Sequence, residues 1–572
     1  MIIYKMGKVF FYLGFMFSFY LFFLVLKLFF LKKVEVIEWQ IFNYYSMEFG
    51  MLILLDWISI LFMSYMLFIS SWVLFYSFNY MSNDKFKNRF FMMMILFIIS
   101  MILLIISPNL ISLMLGWDGL GLISYCLVGY YQNYNSYNSS MITFLSNRIG
   151  DSFLLLTIFL MMSYGGWNYI FYYNLEFNML MLMMLILASM TKSAQIPFSL
   201  WLPMAMAAPT PVSSLVHSST LVTAGIYLLI RFFYFLMDFF TNFNLFFYLF
   251  LLTMLLSSLS AFMENDLKKI IALSTLSQLS LMFLVLFMGL KEMAFFHLLI
   301  HAIFKSLLFM CSGIIIHDYK NFQDIRMMGS YSKFMPLMSC YINISGLSLC
   351  GMPFMSGFYT KDFVMELMFM EFYMNFMIIL FYWFSIGLTL LYYFRLIYYL
   401  NFKSIILSSL MYFIDNKWFM MNSMKFLMMF SLLMGSIMIW LFMEKIWVIM
   451  MEDFMFFLIY LLMLLIMVKS MENLFFKLNL LINWFNLFFL NMWYLKNFFF
   501  NKSILMMGFN LSKIMEKGWG EFLGGQGIYL MYKNFSMIYQ IYHFNNMKFY
   551  LVLFIMMFYM VIYLYLYSLS SV

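Results

Sequence analysis

Runs of roughly twenty apolar residues recur along this chain from residue 8 to residue 570, and they leave few folds open. Inside a bilayer every backbone N–H and C=O must be satisfied within the protein, so apolar runs of this length become spanning helices. By that rule, spans fall at 8–31, 49–76, 88–107, 109–131, 141–163, 179–197 and 210–235. Others fall at 244–263, 267–288, 291–316, 335–371 (long and interrupted), 374–400, 423–443, 453–470 and 548–570. The expectation is an all-α polytopic membrane protein with about 15 transmembrane helices.

Composition removes the alternatives. Of 572 residues, 66% are hydrophobic and only 10% charged, too few for the surface of a soluble protein this long. The first apolar run has no small-residue cleavage site and reads as a span, not a removed signal. A net charge of +8 reads as loop and lipid-interface charge, not as a nucleic-acid footprint. Cys126, Cys311, Cys340 and Cys350 lie far apart in apolar runs, without the spacing of a metal or iron–sulfur site. The 76 Phe, 66 Met and 42 Tyr fit the codon bias of an organelle genome, so a Met-rich stripe is not read as a binding surface.

One stretch departs from the apolar pattern. Residues 188–231, ASMTKSAQIPFSLWLPMAMAAPTPVSSLVHSSTLVTAGIYLLIR, crowd Lys192, His217 and four of the seven prolines between greasy segments. Proline lacks a backbone donor and clashes with the preceding turn, so a helix arriving at Lys192 breaks near Pro197. A broken helix with an ionisable residue at membrane depth is tolerated only against protein or water, which points to an ion pathway. A second break is expected at Gly351, Pro353 and Gly357. Two five-helix blocks, 88–235 and 244–400, then each carry a broken fourth helix, the pattern of a transporter repeat.

Charges inside spans cost about 2.5–3.5 kcal/mol on insertion scales, so each needs a partner or a purpose. Asp118, in GWDGLG at 116–121, is the obvious partner for Lys192. His297, His301 and Lys305 are spaced i, i+4, i+8 and share one helix face, fit to pass protons through intervening water. Lys361, with Asp362 beside it in MPFMSGFYTKDFVME, follows the second break. Arg148 and Asp151 read as charges near a helix start, and Asp266, Lys268 and Lys269 as interface charges. GWDGLG lacks the spacing and context of a dinucleotide loop, and there is no P-loop or HExxH, so no nicotinamide, flavin, iron–sulfur cluster or ATP site is expected.

The segment from Thr191, TKSAQIPFSLWLPMAMAAPTPVSSLVHSSTLVTAGIYL, resembles the signature of the antiporter-like membrane subunits of respiratory complex I. The resemblance covers roughly residues 50–400. It implies that the two blocks are inverted repeats, each holding half of a proton channel. It implies that Asp118 and Lys192 form a switch, although the family usually has Glu where Asp118 stands. It further implies that His217 and Lys305 belong to a central hydrophilic axis and that Lys361 ends the path toward the outer side.

The implied division of the chain is 1–87 (N-terminal spans), 88–235 and 244–400 (repeats), 401–503 (additional spans), 504–546 (an interfacial helix) and 547–572 (a last span). Between 528 and 544, large apolar side chains recur at three- and four-residue steps, as in a helix lying along the membrane surface that braces neighbouring subunits. The GGQG run at 524–527 reads as a turn ahead of it. The setting implied is the mitochondrial inner membrane. The neighbouring antiporter-like subunit, lipid, water and protons are the partners. NADH, FMN, iron–sulfur clusters and ubiquinone belong to other subunits. A stand-alone multisubunit cation/proton antiporter shares the same motifs, and a non-conducting scaffold would use the buried charges only to hold helices together.

Overall fold

The computed structural model describes residues 2–44, 47–172, 178–242, 244–371, 376–404, 418–442, 492, 500–543 and 547–570. The chain divides into two compact units, Met1–Leu495 and Lys496–Val572. Among the described residues, 12 helices are long and apolar enough to cross a membrane. The span expected at 453–470 lies outside the described residues.

The first unit opens with α1 (Ile2–Leu31), followed by β1 (Glu35–Tyr44) and β2 (Met47–Leu55). The two strands pair antiparallel with a bulge between Gln40 and Phe42, so the fold is not purely helical. Residues 35–44, EVIEWQIFNY, mix Glu and Gln with β-branched and aromatic side chains, which suits a strand. The span expected at 49–76 therefore begins later, as α2 (Trp57–Tyr80). Asp56 sets that start: its carboxylate accepts from Ser59 N at 2.8 Å and the Ser59 hydroxyl accepts from Asp56 N at 3.0 Å, a reciprocal cap.

Next come α3 (Lys87–Ile106), α4 (Leu110–Val128), α5 (Tyr134–Met162) and α6 (Met179–Lys192). α5 begins seven residues ahead of the expected 141 because Asn133 and Ser136 cap it reciprocally. Then follow α7 (Thr210–Arg231), α8 (Phe233–Asn242), α9 (Asn244–Met263), α10 (Leu267–Phe287) and α11 (Lys291–Asp318). The expected span 335–371 is two helices, α12 (Pro336–Cys350) and α13 (Ser356–Glu371), and α14 (Phe376–Ile397) and α15 (Trp418–Phe442) complete the unit.

α10 and α11 are buried along their spans, with α2 nearly so, and they form the middle of the unit. α1 and α5 expose most of their apolar side chains, as helices facing lipid do. Close approach is built with glycine: a Cβ at Gly225 of α7 would stand 2.5 Å from Ser189 O of α6. An ion pair ties the far end of α7 to α2. Arg231 donates to the Asp56 carboxylate at 2.5 and 2.9 Å and to Tyr227 Oη, which in turn donates to Ile105 O of α3 at 2.7 Å.

The second unit holds α16 (Phe500–Leu511), α17 (Gly525–His543) and α18 (Met547–Ser570). Gly525 is the first residue of α17, so the expected turn at 524–527 is instead the helix's first turn. The described side chains of α17 and α18 are almost all exposed.

Candidate functional site

The site is built on the two broken helices and on α7, α10 and α11. α6 stops at Lys192, five residues before Pro197, because proline disfavours the helical turn that precedes it. Residues 193–200 then run irregularly, short helical turns follow at Trp201–Met204 and Ala205–Ala207, and the stretch is tied down. Trp201 Nε1 donates to Thr191 O at 2.9 Å, and Thr253 Oγ1 of α9 donates to Gln195 Oε1 at 2.6 Å. This keeps non-helical backbone inside the protein, where it is tolerated at membrane depth.

Lys192 is fully buried. Its ammonium donates to Trp117 O at 3.1 Å and lies 4.9 Å from the centre of the Trp117 ring, a cation–π contact. The expected contact between Asp118 and Lys192 is not a direct ion pair. Asp118 Oδ2 instead lies 3.6 Å from Arg148 Nη1, which also reaches Asp151 Oδ2 at 3.3 Å. The reason is helical phase: Trp117 faces the lysine, and the next residue turns about 100° away. Among the carboxylates acting on Lys192, Asp151 comes first and Asp118 second. Asp151 is buried, whereas the Asp118 side chain is 36% exposed. Arg148 and Asp151 are therefore not near a helix start; the early cap at Asn133 puts them in the middle of α5.

His217 sits in the middle of α7, where residues Ser213–Thr220 form a π-helical turn. A π turn strips carbonyls of their usual partners, and the local hydroxyls replace them. Ser219 and Thr220 donate to Leu215 O at 3.1 and 2.8 Å, and Ser218 donates to Ser214 O. The His217 ring is buried 6.2 Å from Trp201, and neither nitrogen has a hydrogen-bond partner among the described residues.

On α11, His297, His301 and Lys305 are all fully buried. His297 Nδ1 and Thr360 Oγ1 of α13 are 2.8 Å apart, and the His297 and His301 rings are 6.4 Å apart. Lys305 Nζ donates to Ser274 Oγ of α10 at 2.5 Å. α13 follows the break at Gly351, whose φ of +81° suits only glycine. Thr360 and Lys361 are adjacent on it, so one helix carries both the partner of His297 and the buried Lys361, whose ammonium donates to Leu349 O. Asp362 is half-buried beside it. The structure thus gathers His297, His301, Lys305 and Lys361 in one cluster, with Lys192 and the Asp118–Arg148–Asp151 group in another and His217 on the helix packed against both α6 and α11.

Sequence reasoning read Lys268 as an interface charge and Gln278 as able to line water, and it missed Asn147. Lys268 is buried, not interfacial, and donates to Ala208 O at 3.1 Å, while Lys269 pairs with Asp266 at 2.8 Å. Adjacent residues point about 100° apart on a helix, so one of two consecutive lysines had to face inward. Gln278 and Asn147 are polar residues whose amide atoms are buried without partners among the described residues. Polar residues in apolar spans were the available signal for both.

Comparison with known proteins follows the geometry. Residues 107–389 match the family described as NADH:quinone oxidoreductase/Mrp antiporter. Residues 39–91 match the N-terminus of NADH-ubiquinone oxidoreductase (complex I) chain 5, and residues 392–565 the C-terminus of NADH dehydrogenase subunit 5. The chain is similar to NADH-ubiquinone oxidoreductase chain 5 of Aedes aegypti, 48% identical over 560 residues and 95% of each chain. It is 46% identical to the chain of that name from Locusta migratoria, over 94% of this chain and 97% of the other. In fold it resembles a chain of the Mrp complex from a Dietzia species (TM-score 0.67, 22% identity), covering 82% of this chain and 55% of that one. It also resembles one from an archaeal membrane-bound sulfane sulfur reductase (TM-score 0.59, 22% identity), covering 68% and 80%.

Proposed function

This chain belongs to the NADH-ubiquinone oxidoreductase chain 5 family, and on that premise we propose that its buried lysines and histidines carry protons across the membrane arm of the complex. The chain is a proton-translocating, multi-pass protein of the mitochondrial inner membrane. The observation that carries the proposed route is that Lys192, His217, His297, His301, Lys305 and Lys361 are all buried inside a membrane-spanning bundle, at most 2% exposed. Burying unpaired charge is costly, so such groups persist where they are used.

In the order we propose, Lys192 and the Asp118–Arg148–Asp151 group act as the switch. His217, Lys305, His301 and His297 pass the proton on, and Lys361 with Asp362 releases it. Two charges about 4 Å apart interact by roughly 4 kcal/mol at an effective dielectric of 20. Moving one charge against 100 mV takes about 2.3 kcal/mol. Bringing a carboxylate of the Asp118–Arg148–Asp151 group to that distance from Lys192, and withdrawing it, is therefore a large enough lever.

We read 88–235 and 244–400 as inverted repeats; the breaks after Lys192 and at Gly351 support this. We read α17 as a helix lying along neighbouring subunits, supported by its exposed apolar side chains. The adjoining antiporter-like subunit is the expected neighbour, and NADH, FMN, iron–sulfur clusters and ubiquinone are assigned to other subunits. Within the oxidoreductase this chain contributes translocation, not redox chemistry. Similarity over nearly the whole chain favours this reading over a stand-alone antiporter.

The test is Lys192→Ala and Lys305→Met in the assembled complex. Both are expected to leave assembly intact and lower protons pumped per electron. Wild-type stoichiometry in both would remove the reading, and loss of the complex would favour a scaffold.

A further inference from the structure

Away from the Lys192 and Lys305 clusters, two helices bring hydroxyl groups to one buried point beside a third. Tyr76 near the end of α2 and Thr210 at the start of α7 are both fully buried. Tyr76 and Tyr80 each bring a hydroxyl toward Thr210. Yet neither Tyr76 Oη nor Thr210 Oγ1 makes a hydrogen bond of ordinary geometry among the described residues. Between them stands Gly313 of α11, eight residues beyond Lys305. A Cβ at Gly313 would overlap Tyr76 Oη and lie 2.6 Å from Thr210 Oγ1. Alanine is the better helix former, so a glycine in mid-helix here lets both hydroxyls pack against the backbone of α11.

Acidic groups stand at the same end of these helices. Asp84, half-buried just beyond α2, acts on Tyr80. Asp318 closes α11, accepts a hydrogen bond from Tyr331 Oη at 3.1 Å, and acts on Tyr76. In the other direction, Thr210 lies seven residues before His217, a rise of roughly 10 Å along the helix. Ser213 and Ser214 lie in that interval and Ser218 follows His217, each donating to a helix carbonyl and leaving its oxygen free to accept.

Resting on the proton-transport reading above, we propose that Tyr80, Tyr76 and Thr210, brought together against Gly313, form a proton inlet that joins the relay at His217. A proton taken up at Asp84 or Asp318 passes to these hydroxyls. Each hydroxyl then accepts one proton as it gives up its own, so no hydroxyl is left charged, and the proton ends on the His217 imidazole. The route uses oxygen-to-oxygen transfer and needs no cofactor.

Gly313→Ala puts a methyl where both hydroxyls pack, whereas Tyr76→Phe and Thr210→Val remove one hydroxyl each at nearly constant volume. The measurements are substrate-driven proton pumping and its solvent deuterium isotope effect, made on the assembled complex in vesicles beside Lys305→Met. Expected is a several-fold loss of pumping rate in Tyr76→Phe and Thr210→Val, with a changed isotope effect that a packing defect would not produce. Gly313→Ala should match them if it assembles. If Lys305→Met lowers pumping while Tyr76→Phe and Thr210→Val pump as wild type, the inlet is wrong and the main relay stands. If Lys305→Met also pumps normally, the underlying proton reading fails with it.

Discussion

Lys192 ends a helix, loses its solvent shell, donates its hydrogen bond to a backbone carbonyl and makes its charge contact with an indole ring. Neither partner can be titrated, so the state of the lysine answers to carboxylates a little farther off. Of these Asp151 is the buried one, while Asp118 shares Arg148 near the lipid-facing side. Asp151→Asn is therefore expected to reduce pumping several-fold, and Asp118→Asn by less. Pumping rates of both variants at matched assembly are the check, and the reverse order would return the switch to Asp118. Lys192, His297, His301 and Lys305 were legible from sequence because a titratable residue in an apolar run is conspicuous. The partner of Lys192 was not, because it depends on which way residues 117 and 118 face. That is a matter of helical phase, and spacing within one segment does not carry it.

At the scale of elements, most spans follow from apolar length, and the exceptions have local causes. A two-residue cap at Asp56 and Ser59 separates strand from helix where the hydrophobic run continues unbroken. The π turn at Ser213–Thr220 is equally local, and its signal was a run of small hydroxyl side chains able to satisfy freed carbonyls. The clamp from Asp56 to Arg231 joins two elements that are 175 residues apart in sequence, which no periodicity reveals. Just ahead of its span, Asp56 is pushed up by burial, but the Arg231 guanidinium outweighs this and holds the carboxyl at about 2 against an ordinary 3.8. Its folded value is the lower one, so the clamp's contribution is complete above about pH 4 and is lost only as pH falls through about 2. Asp56→Ala leaves Arg231 buried without its carboxylate and is expected to cost about 3–5 kcal/mol. Thermal denaturation of the complex should reveal that loss equally at pH 7 and pH 5. A difference that shrinks at pH 5 would show that the pair is weaker than its geometry implies.

Among the described residues, ionisable groups are few, and those that are buried gather at the breaks in helices and on α7, α10 and α11, with Asp151 on α5. On the division of labour proposed above, the redox centres belong to other subunits; among the described residues no group of three or more His, Cys, Asp and Glu is arranged to hold a metal ion. Removing this chain from the complex is therefore expected to leave flavin and iron–sulfur content and NADH oxidation by artificial acceptors unchanged while pumping falls. Cofactor analysis of the depleted complex checks this, and loss of either cofactor would assign part of its binding to this chain.

The widened π-helical segment around His217 has one more implication. A π turn holds a residue more than a regular helix of the same height, so its two flanks are phased against each other by about 100°. Excising a single codon between 213 and 220 would let the helix become regular, and it would also rotate His217 and Arg231 relative to one another. Only one of them could then keep its present neighbours: the histidine beside Trp201, or the arginine against Asp56. In this stretch a deletion is a harsher change than a substitution, because length itself is the information being conserved.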